Sequence, residues 1–186
     1  MSEAAGMVLA AGAGTRFGSP KALVEIDGER LVDRAVRVLR EGGLLRTYVV
    51  TGSVELEVPA AVVVPNPDWA TGMGSSLRAG LAALDADVER VLVVLVDQVG
   101  LTPSAVSRVA AAGSGDAVLA TATYAGRRGH PVLLGRAFWP EVVATSVGET
   151  GAREVLAVHA SEVVAVECGD VATDADVDRP ADLPSS

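Results

Sequence analysis

The sequence contains one cysteine, Cys168, and two histidines. A lone thiol cannot form an internal disulfide, and no Cys/His spacing of the metal-binding kind occurs, so a reducing, cytoplasmic setting is expected. Basic residues are also in deficit: 15 Lys and Arg against 24 Asp and Glu give a formal charge of −9. That balance excludes a nucleic-acid or acidic-membrane surface, which needs a broad excess of cations. Any basic cluster must therefore serve something small and local. No apolar run approaches membrane-spanning length, and Met1-Ser2-Glu3 opens without the basic region of a signal peptide. Internal repeats and low-complexity linkers are absent as well.

The chain has 186 residues, 49% of them apolar, which predicts one domain with a sizeable core. Runs such as "GMVLAA" (6–11), "TYVVTG" (47–52), "AAVVV" (60–64) and "VLVVLV" (91–96) lack period-two alternation. Continuous apolar runs of this length suit strands covered on both faces, as in a parallel sheet. Between them, Leu31, Ala35, Val38 and Leu39 form a helical stripe with Arg34, Arg37 and Arg40 on the wet side, and Leu77, Leu81 and Leu84 form another. Alternating signals of this kind predict an α/β fold, a mostly parallel sheet flanked by helices. The stretch 116–135 reads as two strands around a turn at Gly126 to Gly129, an antiparallel excursion in the second half. Helical patches near 136–145 and 151–159 then precede a strand at 162–167, and the last residues of the tail are expected to be loose.

The stretch "GAGTRFGSPK" (12–21) follows the first apolar run. A Gly-rich turn there sets backbone N–H groups at the carboxyl edge of the sheet, a phosphate-binding position. Phe17 stands where a dinucleotide fingerprint has its third glycine, and no helical pattern follows until about Arg30. A Walker loop would end Gly-Lys-Ser/Thr, whereas this one ends Gly18-Ser19-Pro20-Lys21. What remains is an open glycine loop with two cations, Arg16 and Lys21, able to wrap a triphosphate; the plainer alternative is a surface turn with two solvated basic residues.

Other stations carry the same ambiguity. Gly72, Gly74, Ser75 and Ser76 precede Leu77, where a helix N-terminus could offer free N–H groups or merely a serine cap. Asp97 ends a buried strand while Thr102-Pro103 caps the next helix, leaving the carboxylate free for magnesium or for capping its own turn. The acidic tail "TDADVDRPADL" (173–183) could supply a second carboxylate for magnesium, or be a solvated acidic face. Arg127, Arg128, His130 and Arg153 could meet an anionic acceptor, or be a hairpin tip and a surface arginine. His130 reads as shape-setting beside Pro131, His159 as surface, and Trp69 as packing.

The segment "LAAGAGTRFGSPK" resembles the signature loop of GT-A-like nucleotidyltransferases, and the whole chain is most similar to the MobA-like branch, within it to molybdenum cofactor cytidylyltransferases. The resemblance implies a Rossmann-like (GT-A-like) fold in which Leu9, Ala10, Ala11, Gly12 and Gly14 line the nucleotide and Arg16 and Lys21 hold the triphosphate. It adds Asn66, Gly72 and Ser76 beside the nucleotide, and Mg2+ on Asp97 and Asp178, with Asp176 in reserve. It sets Gly129, His130, Pro131 and Arg153 near the acceptor. The Leu9-Ala10-Ala11-Gly12 start goes with cytidine in that family, so it implies CTP as donor, molybdopterin as phosphorylated acceptor, and a molybdoenzyme or chaperone as receiver of the product. Where the family has Asp-x-Pro, G-D-x-G-A-R and D-x-D-T-P, this chain has Val99, Glu149 and Arg179, which puts the local loop geometry in question. Sugar phosphate or methylerythritol phosphate acceptors, and a non-catalytic nucleotide-binding module, are the competing expectations. An oxidoreductase is disfavoured by the missing third glycine and by the missing acidic residue after "TYVVTG".

Overall fold

The computed structural model describes residues 3–182; the end of the acidic tail lies outside them. Strands β1 (Glu3–Leu9), β4 (Thr47–Thr51) and β6 (Val88–Leu95) form the centre of a sheet, with β5 (Val62–Pro65) beyond β4. After β6 come β7 (Leu119–Tyr124), β8 (Arg127–Gly135) and β9 (Val164–Glu167), giving the spatial order β5-β4-β1-β6-β8-β7-β9. A small hairpin, β2 (Glu25–Ile26) with β3 (Glu29–Arg30), stands apart. β1 pairs in parallel with β4 and β6, β4 with β5, and β7 with β9, while β8 runs antiparallel to both β6 and β7.

Helices α1 (Leu31–Glu41), α2 (Met73–Ala83), α3 (Pro103–Ala110), α4 (Trp139–Thr145) and α5 (Arg153–Val158) cover the two faces. Successive side chains of a strand point to opposite sides. Accordingly Val8, Val49, Leu92 and Val94 pack with Val32, Leu39 and Val106 of α1 and α3. Met7, Tyr48, Val50, Val91 and Val93 pack with Leu77 and Leu81 of α2 and with α4 and α5. Both faces of β1, β4 and β6 are thus in a core, which is why these segments of the sequence show continuous apolar runs and no alternation. The helical stripe Leu31, Ala35, Val38 and Leu39 is buried as its spacing predicts. No helix among the described residues is long and apolar enough to cross a membrane.

Two expectations change. The run at 60–64 forms β5 at the sheet edge, so Val62 is 52% exposed. The hairpin turn is not at Gly126 to Gly129 but at Ala125-Gly126, both at positive φ (52° and 78°), as a two-residue hairpin turn requires. Glu167 accepts from the N–H of Ala125 (3.1 Å) and of Gly126 (3.4 Å), holding that turn from the neighbouring strand. Arg127, Arg128 and Gly129 therefore lie in β8. His130-Pro131 sits at a register shift rather than in a turn, because Pro131 has no N–H for the ladder.

Order along the chain dictates where a ligand goes. From β1 the chain moves outward to β4 and β5, then returns to β6 on the other side of β1. The carboxyl ends of β1 and β6 therefore border the crevice at which the strand order reverses.

Leu39, fully buried under β1, and Leu45, 68% exposed, give a paired test. Leu39→Ala should lose about 2–5 kcal/mol in urea unfolding, and Leu45→Ala should stay within about 0.5 kcal/mol. A second test is pH-dependent. His159 bonds Glu162 (2.7 Å) and Glu141 (2.8 Å), tying the end of α5 to α4, and these carboxylates raise its pKa. A raised folded-state pKa stabilises below the unfolded value near about 6.5 and fades as pH climbs through the folded value. The Tm advantage of the parent over His159→Gln should therefore be larger at acid pH than at alkaline pH; a constant difference would refute the ion-pair account.

Candidate functional site

The loop after β1 is held by its own backbone. Ala10 N–H donates to Val50 O (2.9 Å), Ser53 N–H to Ala11 O (3.1 Å) and Ser53 Oγ to Gly12 O (3.1 Å). Gly14 turns the chain at φ 62°, its carbonyl accepting from Phe17 and Gly18, and a Cβ there would collide with the Ser19 carbonyl. Lys21 follows at the start of a short 3₁₀ turn, Lys21–Leu23.

Lys21 Nζ lies 2.7 Å from Asp97 Oδ2 and 2.7 Å from Asp178 Oδ1. Asp97 stands two residues beyond β6. Asp176 and Asp178 are brought to it by backbone bonds from the tail: Val177 N–H to Asp97 O (3.1 Å), Gly100 N–H to Ala175 O (3.3 Å) and Thr173 N–H to Gly100 O (3.1 Å). One oxygen from each of Asp97, Asp176 and Asp178 lies within 4.8 Å of the others. Burial works to lower the Lys21 pKa, but the two carboxylates outweigh it and the pKa is raised. The Lys21 hydrogen bond holds the Asp178 carboxyl below its ordinary range. Burial, then the charges of Asp97 and Asp178, push Asp176 up.

Three carboxylates face one ammonium, and Asp97 Oδ1 is buried without a hydrogen-bond partner among the described residues. Clustered hard oxygen donors with a spare buried lone pair fit a divalent cation such as Mg2+. Asp97 does not use its side chain to cap its turn; Val99 N–H closes that turn on the Asp97 carbonyl (3.0 Å), a donor that proline would lack.

Above these groups is a cavity of about 430 Å³, lined by Gly12, Gly14, Lys21, Gly72, Ser76 and Asp97 among others. A second cavity of about 360 Å³ shares its Leu9 and Met73 walls and continues past Gly129, His130 and Arg153. His130 is partly buried, and burial pulls its pKa down to about 4; Asp97 works against this and Arg153 with it. The imidazole is thus neutral at pH 7 and feels groups of both cavities.

Residues 6–163 match the description of the MobA-like NTP transferase domain. The chain belongs to this MobA-like family. A relative from Paenarthrobacter nicotinovorans named nicotine blue oxidoreductase is 36% identical, over 93% of this chain and 91% of its own. A 2-C-methyl-D-erythritol 4-phosphate cytidylyltransferase from Saccharopolyspora erythraea is 38% identical, over 55% of this chain and 50% of its own. The crystal structure of the Rv0371c homologue from Mycobacterium sp. strain JC1 superposes with TM-score 0.81 at 27% identity, covering 97% of this chain and 93% of that one.

In this MobA-like protein the candidate residues fall into two groups. Leu9, Ala11, Gly12, Gly14, Lys21, Gly72, Ser76 and Asp97 line the first cavity, and Leu9, Gly129, His130 and Arg153 the second. The others stand behind or beside them. Ala10 is buried in the core. Arg16 is exposed and is not a wall residue, although its charge reaches Asp178. Pro131 is buried behind the second cavity, and Arg127 pairs with Asp174 (2.8 Å). Asn66 spends its amide internally: Nδ2 donates to Ser75 Oγ (2.9 Å) and Ser76 Oγ (3.1 Å), and Oδ1 accepts from Asp68 N–H (3.0 Å). Its position fixes the serines instead of reaching the cavity.

The α2 N-terminus also differs from expectation. The helix begins at Met73, its N-cap is Gly72 and not a serine, and two first-turn N–H groups are already used, Gly74 on Gly148 O (2.8 Å) and Ser75 on Gly72 O (3.1 Å). A Cβ on Gly72, at φ 113°, would come within 2.5 Å of the Gly148 backbone. That close approach seats the 146–151 loop on α2 and delivers Glu149 to the first cavity wall, beside Thr15 and Trp69. Sequence reasoning set Glu149 in an acceptor-side motif, read Trp69 as packing and gave Thr15 no role. Trp69 packs over Gly52, as expected, and is a wall as well.

Lys21 competes with any cation for Asp97 and Asp178. Lys21→Met should therefore bind Mg2+ more tightly than the parent in the absence of nucleotide, by roughly tenfold or more, since a hydrogen bond to a charged group contributes about 1.5–3 kcal/mol. Isothermal titration with Mg2+ or Mn2+ measures this, and weaker binding in the variant would rule out the competition.

Proposed function

We propose that this MobA-like nucleotidyltransferase transfers CMP from CTP to a phosphorylated acceptor, with molybdopterin the acceptor favoured by the signature loop, and releases pyrophosphate. The observation that carries the reading is the meeting of Lys21, Asp97 and Asp178 at the mouth of the glycine loop. In this reading the backbone of residues 11–14 receives the nucleotide, and Lys21, with Arg16 at the exposed side, offsets the charge of the triphosphate and of the leaving pyrophosphate. Asp97 and Asp178, with Asp176 beside them, would hold Mg2+, which supplies charge neutralisation at the phosphates when bound.

An acceptor phosphate oxygen attacks the α-phosphorus, the bond from that phosphorus to the bridging oxygen breaks, and pyrophosphate departs with the electron pair. A phosphate monoester is already ionised at neutral pH, its second pKa lying near about 6, so no side chain need take a proton. The neutral His130 is consistent with that: it can donate one hydrogen bond and accept another without adding charge. The protein's contribution is alignment and electrostatics.

A cytidylyl- or guanylyltransferase acting on a sugar phosphate or methylerythritol phosphate uses the same groups. An oxidoreductase reading draws support from the long match to the relative of that name. A thermal-shift series with nucleoside triphosphates, NADH and NADPH, each with and without Mg2+, separates them. CTP with Mg2+ should raise Tm most, and Asp97→Ala should abolish the Mg2+-dependent part. Pyrophosphate release with a molybdopterin source should fall about 10²–10³-fold in Lys21→Ala. Stabilisation by a nicotinamide cofactor and not by CTP would falsify the transfer reading.

A further inference from the structure

The second cavity differs in chemistry from the first. Leu9, Leu77, Val93, Val132, Leu134 and Leu156 form its body, and no Asp, Glu, Asn or Gln lines it. Its two hydroxyls are committed inside the protein. Thr121 Oγ1 donates to Gly129 O (2.7 Å), and Thr150 Oγ1 donates to Val147 O (2.7 Å) while accepting from Val147 N–H (3.2 Å). The groups left to meet a ligand's polar atoms are Arg128, His130 and Arg153. Arg153 is exposed, and His130 sits within electrostatic reach of both Arg153 and Asp97. Arg128 and Arg153 are exposed, so the cationic groups stand at the solvent rim of the cavity with the neutral His130 beside them, and the rest of the side-chain wall is largely hydrocarbon.

We propose that this cavity selects an acceptor whose body is a ring system poor in hydroxyl groups, its apolar faces against the aliphatic wall, carrying its phosphate toward His130 and Arg153. A polyol phosphate would bury several hydroxyls against Leu and Val with no side-chain carboxylate or amide to receive them. Each hydroxyl left unpaired costs on the order of tenfold in affinity. An apolar body gains by the same contacts, because it leaves water for a hydrocarbon wall. The absence of carboxylates matters twice, since an acid here would also repel the phosphate. The word acceptor rests on the nucleotidyl-transfer reading; the cavity's preference does not.

The test uses two phosphomonoesters with the same anionic group and opposite bodies, naphthyl phosphate and inositol monophosphate, titrated calorimetrically into the parent, Arg153→Ala, Ala157→Trp and Ala157→Asp. Ala157 is an exposed cavity residue, so neither change at that position disturbs the core, and unchanged Tm values verify it. Naphthyl phosphate should bind the parent on the order of tenfold or more tighter than inositol monophosphate. Arg153→Ala should weaken both esters alike, whereas both Ala157 variants should remove the preference. Equal affinities, the reverse order, no binding of either ester, or a preference that survives both Ala157 variants would overturn the proposal.

Pyrophosphate release from CTP and Mg2+ with each ester keeps the two readings apart. Naphthyl phosphate bound in the cavity without turnover with any acceptor would count against transfer and leave the cavity's preference standing. Turnover with inositol monophosphate but not with naphthyl phosphate would uphold transfer and sink the preference.

Discussion

The Lys21 ammonium between Asp97 and Asp178 joins three parts of the chain that share no local neighbourhood: the loop after β1, the turn after β6 and the tail. Gathering like charges in a crevice is unfavourable on its own, and the raised pKa of Asp176, caused by burial and by its two neighbours, records that cost. The ammonium offsets part of it, and backbone bonds from Gly100, Thr173 and Val177 supply the rest of the restraint. The sheet order makes the meeting possible. Parallel strands deliver their following loops to one edge, and because β1 and β6 are adjacent their loops meet there, with the tail lying along that edge. A cluster built this way is held by main-chain geometry, so its charges can exchange partners without the fold moving.

The two cavities differ in the chemistry of their walls. One is rimmed by backbone amides, a cation and carboxylates, and the other is mostly aliphatic with arginines at its rim. Leu9 and Met73 form the partition, and both owe their places to neighbouring constraints: Leu9 closes β1, and Met73 opens α2 directly after the positive-φ Gly72. Charged chemistry beside a dry compartment strengthens both, because a low-dielectric wall reduces screening of the groups opposite it. His130 belongs to this boundary. Keeping it uncharged avoids placing a third cation next to Arg128 and Arg153.

Much of this was legible in the chain. Strands β1, β4 and β6 announced themselves because being buried on both faces leaves an unbroken apolar run, and α1 because its stripe repeats at helical spacing. Lys21 and Asp97 were legible because each sits just after a recognisable strand. Other features depended on partners far away in sequence. The hairpin turn fell on Ala125-Gly126 instead of the glycine-flanked arginines because Glu167 receives both of its N–H groups from another strand. The edge positions of β5 and β9 follow from strand order, which apolarity does not encode. Asn66 matched a ligand-binding pattern, yet its amide serves Ser75 and Ser76. Glu149 reached the cavity through a glycine contact that no local pattern displays.

Family membership leaves two chemistries among the named relatives, and the charges bear on which of them suits this site, since a fold by itself does not choose. A nicotinamide dinucleotide presents a pyrophosphate that backbone amides and a helix N-terminus can hold without a metal. Here the α2 N-terminus has committed N–H groups to Gly148 and Gly72, and three carboxylates stand next to the glycine loop. Carboxylates beside an unescorted anion repel it. The same carboxylates would be an advantage if the anion arrived with a divalent cation, because Asp97, Asp176 and Asp178 would hold it and it would supply charge neutralisation at the phosphates. Lys21, already poised between Asp97 and Asp178, would then be free to face the phosphates. Hydride transfer has no use for that arrangement, whereas displacement at phosphorus does, and this asymmetry of charge supports nucleotidyl transfer over the chemistry in the longer-matching relative's name.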